Sequence, residues 1–267
     1  MTTKTSPVSD ESCRNISSKG KSPPPGIPMH TMRRKPDSSK GSRTQNGRLR
    51  AKPDEGSGGR RTHDRQVSSL PEDKSNGYEE VAARFMSARN PDIGRATVSE
   101  WCRTLPRDAS VLDLGCGHGV PVSQTLIEQG FTVFGVDASP TLLAAFHRRF
   151  PCVSTECSAV EDSGFFDREF DGAVAWGLLF LLPPRAQSLV VHKVARALKP
   201  GGKFLFTSPR ERTAWRDALT GRESISLGAE RYQQLLGSAG LHAVGERNDE
   251  GNNHYYFVAK QPGIATS

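Results

Sequence analysis

Asp113 and the three glycines that follow it carry the clearest chemical signal in this chain. They lie in Val111-Leu112-Asp113-Leu114-Gly115-Cys116-Gly117-His118-Gly119. The apolar run reads as a buried strand. Glycine at every second position, with Cys116 inside the run, gives a turn whose backbone a ligand can approach closely. If Val120 to Gln129 is helical, that turn stands at a helix N-terminus, a ready site for a polar ligand. A carboxylate two places before the first glycine suits a cationic or zwitterionic ligand. The dinucleotide pattern G-x-G-x-x-G is not met, because Val120 holds its third glycine position. The Lys and Ser/Thr of a P-loop are also missing, which counts against ATP.

A second acidic residue, Asp137, closes the run Thr132 to Val136. At a strand end beside the glycine turn it is placed to accept both ribose hydroxyls of a nucleoside. Ala138 and Ser139 follow at the same edge. Farther on, Ala159-Val160-Glu161-Asp162 makes a short acidic turn. Either Glu161 or Asp162 can accept from an adenine amino group there.

The elements that must hold these residues are legible from pattern. Helices are expected at Glu79 to Ser87, Gly94 to Thr104, Val120 to Gln129, Pro140 to Phe150, Pro184 to Leu198 and Ala229 to Ala239. Ser139-Pro140 has the form of an N-cap and first helical residue. Strands are expected at 110–114, Thr132 to Val136, Cys152 to Thr155, Asp171 to Trp176 and Lys203 to Ser208. Two more follow at Leu241 to Glu246 and Tyr255 to Lys260. Alternating strands and helices build a parallel sheet covered on both faces. The last two strands are joined too tightly for a crossover, so they must be antiparallel. The expected fold is therefore α/β, a doubly wound and mostly parallel seven-stranded sheet with an antiparallel last strand.

Charge divides the chain. Its 267 residues carry a net charge of +7. Residues 1–75 hold 16 Lys/Arg against 8 Asp/Glu, while the rest hold 20 against 21. The first 75 residues are poor in large apolar side chains and read as a disordered basic tail, with Met29 or Met32 as an alternative start. The expected domain is 76–267, with a helical cap at about 76–105 and a core at about 108–260. No membrane-length apolar run or secretory signal is present in the sequence. Five scattered cysteines without a paired motif predict free thiols, no metal site and a reducing, cytoplasmic setting.

Taken in order, these motifs resemble the class I S-adenosylmethionine-dependent methyltransferases. The matching runs are Val111–Val120, Val133–Ser139, Ala159–Asp162, Phe170–Leu182 and Leu198–Ser208, over roughly residues 76–260. The resemblance implies S-adenosyl-L-methionine as methyl donor, held by Asp113, Gly115, Cys116, Gly117, Gly119, Asp137, Ala138, Ser139 and Glu161 or Asp162. It extends to Trp176 at the end of the fourth strand. Tyr78 and Arg89 are expected to close over the donor, with Arg89 toward the methionine carboxylate. His254 is the best-placed general base, and Tyr255 stands with it as a catalytic candidate. Tyr255 and Tyr256 alternate faces, so at most one looks into the site. His118 is expected to shape the donor pocket and Trp215 to wall the acceptor.

The acceptor is read by elimination. Ala175-Trp176-Gly177-Leu178 stands where amino-methylating DNA and glutamine enzymes carry Asn/Asp-Pro-Pro-Tyr/Phe. No Pro-Cys nucleophile lies at the active edge, and no carboxylate metal triad or large target-recognition domain is evident. A small-molecule acceptor is favoured. The alternatives are an RNA or protein methyltransferase tethered by its basic tail, or a noncatalytic S-adenosylmethionine-binding protein.

Overall fold

The computed structural model describes residues 73–262. Residues 1–72 of the expected N-terminal tail lie outside the described residues. Within them the chain runs α1 (Ala82–Ala88), α2 (Arg95–Cys102), β1 (Ser110–Leu114), α3 (Val122–Glu128), β2 (Thr132–Asp137), α4 (Pro140–Arg149) and β3 (Ser154–Cys157). It continues through β4 (Phe170–Ala175), α5 (Pro184–Ala197), β5 (Leu198–Thr207), β6 (Thr213–Arg216), β7 (Glu223–Ser226), α6 (Ala229–Ser238), β8 (Leu241–Asn248) and β9 (His254–Lys260). Seven strands form one sheet in the order β3-β2-β1-β4-β5-β9-β8. Pairings among the first five are parallel, and β9 is antiparallel to both β5 and β8. The expected doubly wound sheet with an antiparallel last strand is what forms.

Side-chain alternation decides which helices cover which face. Val111, Val133, Val174, Leu205 and Tyr255 pack with Val98 and Trp101 of α2 and Leu126 of α3. Their neighbours Leu112, Ala173, Phe204, Phe206 and Tyr256 pack with Val190 and Val194 of α5 and Tyr232 and Leu236 of α6. A period of two along each strand thus sends successive residues into two separate cores. The strand order reverses between β1 and β4, and the carboxyl ends of these strands flank the crevice where open α/β sheets take ligands.

Several boundaries differ from expectation for local reasons. Pairing of β3 starts at Ser154, two residues late, because Val153 N–H is spent on Phe150 O at 3.1 Å in the turn through Pro151. β5 starts early, since Leu198 already pairs with Phe170 before a register shift. The long segment at 209–228, to which no element is assigned from sequence, contains the β6–β7 hairpin. Its tip is closed by Asp217, whose Oδ1 accepts from the Leu219 and Thr220 amides at 2.9 and 2.8 Å. Cys102, Cys116 and Cys157 are free thiols. Cys152 is disulfide-bonded, against the expectation for all five cysteines. Scattered cysteines carry no sequence signal for pairing. Among the described residues no helix is long and apolar enough to cross a membrane, and no cluster of His, Cys, Asp and Glu could hold a metal.

The α5/α6 core is its aromatic stack. Phe206 is fully buried, lies 4.6 Å from the Tyr256 ring and 5.1 Å from Phe204, and meets Tyr232 edge-on. Phe206→Ala should cost about 3–5 kcal/mol, as cavities of this kind do. Urea unfolding checks this, and a loss under 1 kcal/mol would show that the stack carries no such share.

Candidate functional site

The glycine turn is fastened to the neighbouring strand end. Gly115 N–H and Cys116 N–H both donate to Val136 O, at 2.8 and 3.1 Å. Gly117 N–H donates to Asp137 Oδ2 at 2.8 Å. The other oxygen of Asp137 accepts from Ser139 N–H, also at 2.8 Å. This holds the carboxylate in one orientation and leaves a lone pair free on each oxygen. Gly117 has φ +55°, and a side chain there would project beside Phe85. The turn therefore leaves open space over the ends of β1 and β2.

One cavity gathers most of the expected residues. Asp113, Gly115, Cys116 and Gly117 line it from the β1 end, and Asp137 and Ala138 from β2. Glu161 enters from the turn after β3, and Trp176 from the end of β4. Arg89, Tyr78 and His118 also line it. The Arg89 guanidinium carbon lies over the Trp176 ring, 3.8 Å from its centroid. Its only hydrogen bond among the described residues is a long one, 3.4 Å, to Val120 O.

Burial shapes the charges here. The Asp113 carboxyl is 2% exposed and pushed up to about 7 by burial, partly offset by the hydrogen bond from Ser123 Oγ at 2.5 Å and reinforced by Asp137. Asp137 is raised by burial, against the two backbone amides that stabilise its charge. Burial lowers Arg89 to about 10 and His118 to about 4, so His118 is a neutral wall of the cavity.

Other expected residues stand elsewhere. Gly119 does not line the cavity; a Cβ there would come within 2.6 Å of Phe150 and 3.0 Å of Phe146, so this glycine serves close packing of α4. Ser139 is fully buried as the cap of α4, accepting from Leu142 N–H at 3.1 Å and donating to Glu79. Asp162 pairs with Lys74 at the surface, which leaves Glu161 as the acidic residue of that turn inside the cavity. His254 is not brought to it either. The histidine follows Tyr256 to the α5/α6 side, packing edge-on against that ring, with Nδ1 2.7 Å from Asn248 Oδ1 and Nε2 3.3 Å from Glu246 Oε2. Both ring nitrogens are engaged away from the crevice.

Tyr255 takes the α2 face instead. It is fully buried behind Trp176, and its hydroxyl donates to Asp249 Oδ2 at 2.9 Å. Burial and Asp249 push that hydroxyl far up, so it stays protonated. Trp215 pairs with Phe180 and walls neither this cavity nor the chamber described below.

Sequence reading passed over Ser75, Asn76, Phe85 and Leu142, all of which line the cavity. Asn76 Nδ2 is buried there without a hydrogen-bond partner. Ser75-Asn76-Gly77 is a turn signal, but it sits where the basic segment ends and was read as the edge of the tail.

Known proteins share this architecture. A family model described as a methyltransferase domain matches residues 111–202. A ubiquinone biosynthesis O-methyltransferase of Erwinia tasmaniensis is 33% identical over 122 residues, which are 43% of this chain and 49% of that protein. An uncharacterized methyltransferase of Synechocystis is 33% identical over 105 residues, 39% of this chain and 49% of that protein. The chain thus spans about half the length of these curated relatives. Among solved structures, the 1,6-didemethyltoxoflavin-N1-methyltransferase of Burkholderia thailandensis, determined with 1,6-didemethyltoxoflavin and S-adenosylhomocysteine, aligns with a TM-score of 0.56 at 22% identity, covering 69% of this chain and 84% of that one. A methyltransferase of Clostridium acetobutylicum aligns with a TM-score of 0.54 at 15% identity, covering 70% and 99%. Residues 111–202 thus match a methyltransferase domain, and they lie within a seven-stranded sheet of the topology that the motif order predicts.

Proposed function

We propose that this protein transfers a methyl group from S-adenosyl-L-methionine to a small-molecule acceptor. The observation that carries the proposal is the Asp137 carboxylate, held by the Gly117 and Ser139 amides at the edge of the cavity. Two oriented oxygens with spare lone pairs match the paired hydroxyls of a ribose. Glu161 supports an adenine amino group from the adjacent turn, and the unpartnered Asn76 amide adds a donor in the same cavity. Arg89, a guanidinium with most of its donors unused among the described residues, takes the methionine carboxylate. Asp113 supplies negative charge beneath the cationic part of the donor.

The methyl donor brings its own activated leaving group, a sulfonium. The protein aligns the reactants and excludes water, each a contribution of several kcal/mol. A small acceptor is supported by the names of similar proteins, an O-methyltransferase of ubiquinone biosynthesis and a 1,6-didemethyltoxoflavin-N1-methyltransferase.

Calorimetry should find micromolar binding of S-adenosylmethionine and S-adenosylhomocysteine to the folded protein. Asp137→Ala should weaken both by about 1.5–3 kcal/mol, the scale for losing a charged acceptor. Normal affinity in that variant would remove Asp137 from the ribose role.

Asp113 makes binding sensitive to pH. Its folded value, about 7, exceeds the ordinary 3.8, so the folded protein holds a proton that the unfolded chain has released. This group's contribution to stability is present in acid and is lost as pH rises from about 4 through about 7. A cationic donor favours the ionised carboxylate, so affinity should rise through pH 7, with proton release below it. Titrations at pH 6 in buffers of unequal ionisation heat measure that proton; equal heats would contradict the placement of Asp113.

His254→Ala should leave turnover within about threefold of the parent, because its ring bonds to Asn248 and Glu246. A loss of a hundredfold or more would restore it as a base.

A further inference from the structure

A second chamber of about 270 Å³ adjoins the donor cavity. It lies between α1 and the tip of the β6–β7 hairpin. Tyr78, Phe85, Arg89 and Trp176 line both spaces, so the two meet along these side chains. The remaining surface is mainly apolar, from Ala88, Ile93 and Leu219. An apolar void of roughly 150 Å³ admits benzene, so this one suits a substituted ring or a fused pair.

The polar groups of the chamber are mostly committed. Arg84 donates to the carbonyls of Ala218 and Leu219 at 3.3 and 3.4 Å. Asn253 Nδ2 donates to Asp249. Asp217 is divided between its two oxygens. Oδ1 takes the Leu219 and Thr220 amides and the Thr220 hydroxyl. Among the described residues Oδ2 accepts only from the Tyr78 hydroxyl, at 3.2 Å. That oxygen keeps a lone pair, and it stands one hydrogen bond from a residue that lines the donor cavity.

We propose that this chamber seats the methyl acceptor, that the acceptor is a compact and mostly apolar ring compound reacting through a hydroxyl, and that Asp217 takes the hydroxyl proton. The inference rests on the methyl-donor reading above. A carboxylate would hold an amine as its ammonium, which has no lone pair to attack. A hydroxyl gives its proton to the carboxylate and becomes the better nucleophile. In the step, the oxygen lone pair forms the new bond to the methyl carbon. The sulfur–carbon bond breaks with its electrons remaining on sulfur. The hydroxyl proton passes to Asp217 Oδ2 and then to water. A methyl ether and S-adenosylhomocysteine are left. Neither tyrosine competes as the base: burial and nearby carboxylates hold the Tyr78 and Tyr255 hydroxyls protonated.

The test uses phenols of graded acidity, from 4-methoxyphenol to 4-nitrophenol, with the full chain and its Asp217→Asn variant. Asparagine retains an acceptor oxygen for the turn amides. The parent should form aryl methyl ethers. The variant should lose about 10²–10³-fold in kcat/KM on 4-methoxyphenol and only a few-fold on 4-nitrophenol, which ionises unaided near neutral pH. Its affinity for S-adenosylhomocysteine should not change. An equal loss across the series would mark Asp217 as merely structural and overturn its role. Leu219→Trp gives an independent check, since filling the chamber should raise KM for the phenols at least tenfold without weakening S-adenosylhomocysteine. Preference for the matching anilines, or no phenol turnover by a parent that binds S-adenosylhomocysteine, would overturn the inference alone. Failure of the parent to bind S-adenosylhomocysteine would overturn the methyl-donor reading itself.

Discussion

The fastening of the Gly115–Gly119 turn to the end of β2 is the constraint on which the rest of the site depends. Three backbone amides of one turn are taken by the carbonyl of Val136 and the carboxylate of Asp137. Gly115 and Gly117 take φ of +70° and +55° in this turn, a backbone conformation that residues with a Cβ rarely adopt. Asp137, in turn, would be a half-buried carboxylate at a desolvation cost without the Gly117 and Ser139 amides. Backbone and side chain therefore orient each other, and the cavity forms above them at the point where the sheet reverses direction.

Around that junction the two faces of the sheet have separate tasks. The α5/α6 face is closed by stacked aromatics and holds His254 and Tyr256 away from chemistry. The α2/α3 face ends in Trp176 and Tyr255, which back the cavity and support Arg89 above it. The cap is tied down at two places. Tyr78 reaches Asp217, Arg84 reaches the carbonyls of the hairpin tip, and Asp73 pairs with Arg222 at 2.8 Å. Glu79 accepts from the Thr141 amide and hydroxyl at the start of α4, at 3.1 and 2.6 Å, so the β6–β7 hairpin and α4 together hold the cap over the crevice.

What could be read from the chain follows from how local each signal is. The run from Val111 to Gly119, the acid at 137 and the tight C-terminal pairing depend on residues close in sequence, so the sheet and the donor turn were legible. Tyr255 and Tyr256 were rightly expected to point apart, because alternation is a property of the strand itself. Their neighbour His254 was misjudged, because the face it shares with Tyr256 is decided by pairing with β8 and by Glu246, not by its position at a strand end. The hairpin was missed because two strands of four residues carry almost no periodicity. Asp217 gains meaning only when folding brings it 139 positions back to Tyr78. Ser139 and Gly119 were placed beside the ligand by proximity in sequence, whereas one is spent on capping a helix and the other on packing it.

Hydrogen exchange measured by mass spectrometry, with and without S-adenosylhomocysteine, tests the central claim most directly because it locates binding. The account predicts added protection in peptides covering 113–119, 137–139 and 159–161, together with the cap at 76–89, and little change in α6 and β8. Binding that protects other segments, or saturating ligand that leaves the 113–119 turn and Asp137 unprotected, would contradict it.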